Sequence, residues 1–339
     1  AGATVVDTVT QKLQHPTAPY YIGKGKAEEV AARCSEHGAG SVIFDDELSP
    51  AQGRNLENVT SKKVLDRTQL ILDIFARRAR SREGRLQIEL AQLQYLLPRL
   101  TRMWTHLSRQ TGGIGTRGPG ETQLEVDRRR VQERIARLQR ELEEVRKHRA
   151  IQREGRARHQ WPVVAIVGYT NAGKSSLLHA LTGASVLVED KLFATLDTTT
   201  RRIALPNNQP LLLTDTVGFV RNLPHGLVEA FNATLEEAVL ADFLIHVLDA
   251  SQPEILVFHA TTLRVLEDLG AASRPTLTVL NKIDLVQDPL TLPSLRSRFP
   301  DAVTVSVKTG QGLPHLVSRI AEFTANDLLT LELAIPHSR

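Results

Sequence analysis

Residues 163–175 read VVAIVGYTNAGKS, an apolar run that leads directly into a glycine-rich loop. The loop satisfies the pattern G-x-x-x-x-G-K-S, and the residues after it predict a helix. In that strand–loop–helix setting, backbone amides and the helix N terminus form a cradle for phosphate groups. A glycine turn without a ligand is the alternative interpretation of this motif taken alone. We predict a nucleoside-triphosphate site made by Gly168, Tyr169, Thr170, Asn171, Ala172, Gly173, Lys174, Ser175 and Ser176.

A second motif predicts where the metal and the terminal phosphate lie. The sequence DTVG at 215–218 follows the apolar run LLLT. In P-loop proteins the loop lysine contacts the β- and γ-phosphates, and the loop serine and a later aspartate hold Mg²⁺. We therefore expect Lys174 to reach these phosphates, and Ser175 and Asp215 to hold Mg²⁺, the latter through water. The amide of Gly218 is expected to detect the γ-phosphate.

A third motif, NKID at 281–284, ends the apolar run LTVL and predicts the base. The carboxylate of Asp284 can accept hydrogen bonds from both the ring N–H and the exocyclic amino group of guanine. Adenine lacks this pair of donors, so an unpaired carboxylate would penalise ATP. Asn281 and Lys282 are expected to support the base. Backbone amides of the later segment Ser306, Val307 and Lys308 would complete the pocket, so we predict GTP and GDP as ligands.

The segment LFATLDTTTR at 192–201 is the predicted first switch loop, which the γ-phosphate would order and its loss would release. A threonine of this loop must meet Mg²⁺ and the γ-phosphate. Thr199 and Thr200 are both candidates, and the sequence alone does not choose between them.

The residue after Gly218 is Phe219, where Ras-like proteins carry a glutamine that orients the attacking water. Phenylalanine cannot do this, so intrinsic hydrolysis should be slow or another group must assist. The catalytic candidates are Lys174, Thr199, Gly218 and Asn171. The amide oxygen of Asn171 could hold K⁺ beside the phosphates. Alternatively, Asn171 ties the P-loop to the switch loop.

Alternating strands and helices after residue 160 predict an α/β domain. Apolar runs at 163–168, 211–216, 243–250, 275–281 and 302–307 predict buried strands of a mainly parallel sheet with helices on both faces. Before it we predict a small α/β domain over 1–82, with a helix at 27–36 and strands from 42 and from 64. The P-loop domain is expected to span 161–325, followed by a C-terminal extension, 326–339.

Between these domains, residues 83–160 have heptad spacing, with apolar positions from Leu86 to Leu107 and again from Leu124 to Val145. A glycine-rich segment at 108–120 separates the two series. We predict a long antiparallel helical hairpin with this segment as its tip and with a kink at Pro98. Its second arm, 121–148, would be about 42 Å long. A coiled coil used only for packing or dimerisation is the alternative.

The net charge of +4 hides an asymmetry. Residues 77–160 carry 21 Lys and Arg against 10 Asp and Glu, whereas the rest carry 21 against 28. Because nearly all of the basic residues in the block are arginine, we favour phosphate recognition over a merely solvated helix surface. The sequence has no run of eighteen apolar residues, so we do not expect a membrane span. The single cysteine, Cys34, excludes an internal disulfide.

Several stretches resemble the HflX family of ribosome-associated GTPases across nearly the whole chain. The most specific is GGIGTRGPGETQLEVDRRR at 112–130, and YIGKGKAEEV, FDDELSPAQGRNLE and LFATLDTTTR also resemble it. Thr198 departs from the family pattern, which usually has proline there. The resemblance implies a factor that binds the large ribosomal subunit in its GTP state and splits or recycles ribosomes, the hairpin tip reaching rRNA near the peptidyl-transferase region.

By the same resemblance, rRNA contacts are expected at Gly112, Gly113, Gly115, Arg117, Gly118 and Gly120, and on charge alone at Arg128, Arg129 and Arg130. We expect neither a membrane nor DNA as a partner. Two other functions stay open: a large-subunit assembly GTPase without splitting activity, and a non-ribosomal GTPase with a protein-binding coiled coil.

The arginine-rich composition, 32 Arg to 10 Lys, indicates a GC-rich genome or an organellar protein. We expect a vertebrate mitochondrial family member in the matrix, with a bacterial cytoplasm as the alternative. The start at Ala1 leaves room for a targeting segment outside this sequence.

Overall fold

The computed structural model describes residues 3–100, 123–157, 161–183, 198–220 and 236–325. For 123–124 and 148–157 it describes the backbone alone. The predicted hairpin tip, most of the predicted switch loop and the C-terminal extension lie outside these residues. The chain forms two compact units, the first reaching Arg149 and the second starting at Ala150. Across the described ranges, no helix has both the length and the apolar composition that crossing a bilayer requires.

The first unit begins with a small α/β arrangement around a two-stranded parallel sheet. Its elements are α1 (Lys24–Glu36), β1 (Ser41–Ile43), α2 (Pro50–Thr60), β2 (Lys63–Leu65) and α3 (Arg67–Arg78). The start of α2 is specified locally, because Ser49 accepts from the Gln52 amide while the Gln52 side chain accepts from the Ser49 amide. Apolar side chains from α1, α2 and the strands, including Ala27, Leu56 and Val64, form the core.

Two long helices follow, α4 (Arg82–Leu96) and α5 (Gln123–Ala157). Leu86 and Leu90 of α4 pack with Leu138 and Leu142 of α5, as the heptad pattern predicted. Glu89 accepts two bonds from Arg134 at 2.8 and 2.9 Å, and Arg82 pairs with Glu141. The two ion pairs occur in opposite order along the helices, because residues 82 and 89 of α4 meet residues 141 and 134 of α5. The two helices are therefore antiparallel.

The helix ends that the structure describes here differ from the sequence prediction. The first helix ends at Leu96, so Pro98 lies beyond its end and does not kink it. Proline lacks the amide hydrogen that a continuing helix would use. The second arm continues past His148 to Ala157, and its 35 residues give a length of about 52 Å. Its added residues are mostly strong helix formers, which explains the extension.

The end of α4 is fixed by a buried carboxylate. Arg99 donates to Asp66 Oδ2 at 3.2 Å and to the Leu48 carbonyl at 2.7 Å, and its guanidinium lies 3.5 Å from the Tyr95 ring centroid. Asp66 also caps α3 by accepting from the Gln69 amide. These contacts determine where the chain leaves α4 toward the predicted tip.

The second unit is built on a six-stranded sheet with order β4-β5-β3-β6-β7-β8. All neighbouring strands are parallel except β4, which is antiparallel to β5. In chain order its elements are β3 (Val163–Gly168), α6 (Lys174–Thr182), β4 (Thr199–Ala204), β5 (Pro210–Asp215), β6 (Phe243–Asp249), α7 (Ile255–Asp268), β7 (Thr276–Asn281), α8 (Thr291–Arg298), β8 (Val303–Thr304) and α9 (Leu313–Ala325).

Helices cover both faces of this sheet, which confirms the predicted fold class. On one face, Leu177 of α6 and Ile320 of α9 pack against Ile166 and other strand residues. On the other face, Ile255 of α7 and Leu295 of α8 pack against strand residues that include Leu248. Consecutive residues of a strand alternate between faces, so the continuous apolar runs of β3 and β6 serve both helical layers.

The core of the second unit holds an unusual pair of histidines. His246 of β6 is 1% exposed, and its ring stacks on His259 of α7 with centroids 5.1 Å apart. Neither ring nitrogen of His246 has a hydrogen-bond partner among the described residues. Burial, reinforced by His259 and Lys174, lowers the pKa of His246 to about 3. His246 is therefore a residue of the core.

Because His246 is buried in this pair, we expect the stability of the fold to decrease in acid. Because the pKa of His246 is lower in the folded than in the unfolded protein, its stabilising effect is present above about pH 6.5 and is lost as the pH falls toward 3. Lowering the pH from 7.5 to 5 should reduce the free energy of unfolding by about 2 kcal/mol through this residue. Urea titrations of the wild type and His246→Val should show a shallower pH dependence in the variant. An identical pH dependence would contradict this assignment.

Candidate functional site

Four parallel strands end at the same edge of the sheet, and each ends in a residue of the candidate site. β3 ends at Gly168, β5 at Asp215, β6 at Asp249 and β7 at Asn281. Ligands of open α/β sheets bind in the crevice at the carboxyl ends of the strands. The three predicted motifs therefore meet at one place.

The loop after β3 has the backbone that a phosphate cradle requires. Gly168 and Gly173 have φ of 147° and 95°, and Asn171 adopts the left-handed region at 61°. A Cβ at Gly168 would lie 2.3 Å from the carbonyl oxygen of Val247, so this position needs glycine. The Tyr169 ring stacks on Phe258 of α7 with centroids 4.0 Å apart, which anchors the loop to that helix.

The predicted phosphate and metal ligands lie together at the start of α6. Lys174 is buried, and its Nζ donates to the Tyr169 carbonyl at 2.9 Å. Burial lowers its pKa to about 8, although Asp215 opposes that shift. Ser175 donates to Asp215 Oδ2 at 2.6 Å. A hydroxyl and a carboxylate oxygen this close fit Mg²⁺, which prefers oxygen ligands. Bound there, Mg²⁺ would neutralise charge on the β- and γ-phosphates.

The loop after β5 is joined to the phosphate loop by its backbone. The Thr170 amide donates to the Phe219 carbonyl at 2.8 Å, and the Phe219 amide donates to the Gly168 carbonyl at 3.1 Å. A Cβ on Gly218 would lie 2.8 Å from Thr170 Cα and 3.0 Å from Lys174 Nζ. Phe219 itself is 2% exposed, so its side chain serves the core and is withdrawn from the phosphate site.

The base-recognition residues form a second cluster, joined to the first by Asn281. Its Nδ2 donates to the Ala172 carbonyl at 2.9 Å, while its Oδ1 accepts from the Val307 amide at 3.2 Å. Asp284 is exposed and accepts from Ser306 Oγ at 2.6 Å. The amide of Lys308 has no hydrogen-bond partner in the described parts of the chain. The cluster thus presents a carboxylate acceptor at Asp284 and an amide donor at Lys308, two residues after the Ser306 that contacts this carboxylate, as guanine requires.

The two threonine candidates lie on β4, and the structure separates them. Thr199 pairs in register with Asp215 and Thr200 with Thr214. The Thr200 hydroxyl lies 3.0 Å from that of the buried Thr214. Successive strand residues point to opposite faces, so Thr200 is on the face away from the Asp215 side chain. This register favours Thr199 over Thr200 as the metal ligand, and both assignments stay predictions.

Family comparisons cover nearly the whole chain. Three family models match it: "GTP-binding GTPase N-terminal" over residues 1–76, "GTP-binding GTPase Middle Region" over 78–156 and "50S ribosome-binding GTPase" over 163–282. The GTPase HflX of Caldanaerobacter subterraneus subsp. tengcongensis is 50% identical over 339 residues, which are 100% of this chain and 78% of that protein. The chain belongs to the HflX GTPase family.

A second relative and a solved structure agree. The HflX of Escherichia coli strain K12 is 47% identical, over 99% of this chain and 79% of its own. A GTP-binding protein of the archaeon Sulfolobus solfataricus, solved with GDP, superposes with a TM-score of 0.50 at 27% identity, covering 93% of this chain and 89% of its own. The HflX domain described here is therefore a GTPase domain that binds GTP and GDP. The HflX relatives named here are from bacteria.

Sequence reasoning missed one part of this HflX site. Asp249, at the end of β6, pairs with Lys282 of the base-recognition motif and accepts a hydrogen bond from the Ser251 hydroxyl. A signal was present, because an aspartate ends the apolar run FLIHVL as Asp215 ends its own. None of the three sequence motifs includes that position.

Proposed function

We propose that this HflX-type GTPase binds the large ribosomal subunit in its GTP state and separates or recycles ribosomes. One observation carries the proposal. The same chain contains a GTPase unit that matches a ribosome-binding family model and a long helix whose exposed surface bears arginines. Phosphate groups of rRNA are the partner that such a surface fits, because arginine forks match phosphate oxygens.

The exposed surface of α5 supports an RNA partner. Along 125–147, Arg128, Arg129 and Arg130 are exposed in succession, and four further basic side chains are exposed: Arg137, Arg140, Arg146 and Lys147. Two of the first three are in ion pairs with neighbours on the same helix, Arg129 with Glu133 and Arg130 with Asp127. Both arginines are exposed and the pairs are long, at 3.9 and 3.8 Å, so a phosphate would compete with them readily.

The predicted tip supplies the second half of the RNA contact. Its glycines and Arg117 lie outside the described residues, and we propose them as rRNA contacts from the family resemblance. Glycine exposes backbone amides and allows a close approach to another backbone. In this proposal the tip reaches rRNA near the peptidyl-transferase region while the α5 arginines contact rRNA backbone.

The nucleotide controls binding through the two loops that face the γ-phosphate. Gly218 would detect that group through its amide, and the backbone hydrogen bonds of the next residue, Phe219, with Gly168 and Thr170 couple any movement to the phosphate loop. Thr199 is the proposed switch-loop ligand, because its strand position pairs with Asp215. Loss of the γ-phosphate would release these loops, so hydrolysis would drive release from the ribosome.

A monovalent cation is proposed as the assistant for hydrolysis, because the buried Phe219 leaves no side chain after Gly218 to orient water. Hydrolysis should then be faster in KCl than in NaCl at equal ionic strength. Asn171→Gly should remove the difference, since glycine accepts the left-handed backbone of this position but lacks the amide oxygen. Equal rates in both salts for the wild type would remove the cation from the proposal.

Light scattering by purified monosomes would test the splitting activity. Protein with a non-hydrolysable GTP analogue should lower the scattering, protein with GDP should not, and deletion of residues 111–120 should abolish the effect. Unchanged scattering despite binding to the large subunit would favour the assembly function. Absence of binding in either state would leave a non-ribosomal GTPase with a protein-binding hairpin.

For location, we propose the mitochondrial matrix of a vertebrate cell. The support is the ratio of 32 arginines to 10 lysines, which fits an organellar protein. Protease protection of the protein in isolated mitochondria would test this, and its absence from the organelle would favour a bacterial cytoplasm.

A further inference from the structure

Asp249 is a buried carboxylate at the edge of the sheet where the nucleotide-binding residues emerge. It is 7% exposed and ends β6. Burying a charged group is costly unless it is paired and hydrogen-bonded. Here both oxygens have partners: Oδ1 accepts from the Ser251 amide at 3.0 Å and from Ser251 Oγ at 2.6 Å, and Oδ2 lies 2.8 Å from Lys282 Nζ.

The partner, Lys282, has a backbone conformation that needs support. Its φ is 62°, in the left-handed region that lysine adopts rarely. Lys282 lies between β7 and a single 3₁₀ turn, Ile283–Leu285, whose Leu285 amide donates to the Lys282 carbonyl. The preceding residue is also held, because the Ala250 amide donates to the Asn281 carbonyl at 2.8 Å. The end of β6 therefore holds the turn in two places: Ala250 binds the backbone of Asn281, and Asp249 binds the ammonium group of Lys282.

This turn sets the position of the residue that recognises guanine. Asp284 is its central residue, two positions after Lys282, and receives only the Ser306 hydroxyl as a hydrogen-bond donor in the described residues. The Lys282 side chain is 22% exposed, so its stem is mostly fixed against the protein. A change in the turn would shift the carboxylate of Asp284 relative to the phosphate loop.

We infer that Asp249, buttressed by Ser251, is a positioning residue for guanine recognition: its ion pair with Lys282 holds the 281–285 turn in the binding geometry before the nucleotide arrives. Holding a binding loop in place in advance lowers the ordering cost of binding. Asp249 does not itself touch the base in this account. Its effect is exerted through Lys282 and the turn, and therefore on affinity and base discrimination more than on the hydrolysis step.

A double-mutant cycle on the full chain tests the inference, with fluorescent GDP as the probe. Asp249→Asn keeps the shape and the Ser251 contacts but removes the charge, and should weaken GDP binding about tenfold. Lys282→Met should have a similar effect. The double variant should be little weaker than either single variant, because both remove the same interaction. Asp301→Asn, an exposed carboxylate of the same unit, is the matched control and should bind as the wild type does.

Two further readouts separate positioning from general stability. IDP lacks the exocyclic amino group that Asp284 accepts, so the ratio of GDP to IDP affinity should fall in Asp249→Asn. The kcat at saturating GTP should stay within about twofold, since a loss of uniform binding raises KM alone. If Asp249→Asn does not fold, Ser251→Ala should show the same changes at smaller size. Wild-type affinity and discrimination in the folded variant, or multiplicative effects in the cycle, would overturn the inference.

Discussion

Asp284→Asn is expected to exchange the base preference of the protein, weakening GDP binding by a factor on the order of 10³ and strengthening XDP binding. Guanine offers two adjacent donors to the carboxylate, whereas asparagine presents one donor and one acceptor. Xanthine has a carbonyl where guanine has its amino group, so it matches asparagine. The exposed position of Asp284, with Ser306 behind it at 2.6 Å, leaves the carboxylate free to face the base.

Competition binding with GDP, XDP and ADP on wild-type and variant protein would measure this exchange. Asp301→Asn supplies a control of the same chemistry on an exposed residue away from the base motif. Retention of guanine preference by Asp284→Asn would show that another group reads the base, and the base site described here would be misassigned.

Gly218→Ala is expected to abolish most hydrolysis while GDP binding changes only modestly. The added methyl would lie 2.8 Å from Thr170 Cα, a backbone atom of the phosphate loop, and 3.0 Å from the ammonium of Lys174. One of the two loops must therefore move. Misplacing a catalytic group by about 1 Å can cost roughly a hundredfold in rate, so kcat should fall by about that factor. GDP has no γ-phosphate and makes less use of Gly218.

Single-turnover hydrolysis and GDP affinity, measured side by side, separate the two effects. Gly53→Ala on α2 is the matched control, because a Cβ there meets nothing within 4 Å. Near-wild-type hydrolysis by Gly218→Ala would mean that the close contact with the phosphate loop has no part in catalysis.

The sequence predicted the GTPase unit well because its signals are local. The phosphate loop has a fixed spacing, and buried parallel strands are continuous apolar runs that can be recognised without tertiary information. Asp215 and Asn281 could be placed at one edge for the same reason, since each ends such a run. The leucines of α4 and α5 also pair as their heptads predicted.

The differences have non-local causes. Strand β4, TTRRIA, has no apolar run, and its conformation comes from pairing with β5. The sequence alone therefore could not show that Thr200 lies on the face away from the Asp215 side chain. The contact of Asp249 with Lys282 joins the ends of two strands that are 33 positions apart in sequence. The lowered pKa of His246 depends on a helix that packs over it, because burial is a tertiary property.

Cosedimentation with isolated large ribosomal subunits, in GDP and in a non-hydrolysable GTP analogue, most directly tests the central claim that GTP makes this protein a ribosome-binding factor. The account predicts binding with the analogue, little with GDP, and a steep loss as salt increases, because the release of counterions that favours phosphate contacts becomes less favourable at high salt. Replacing Arg128, Arg129 and Arg130 by alanine should weaken binding and reduce its salt dependence. Equal cosedimentation in both nucleotides, or none in either, would contradict the claim.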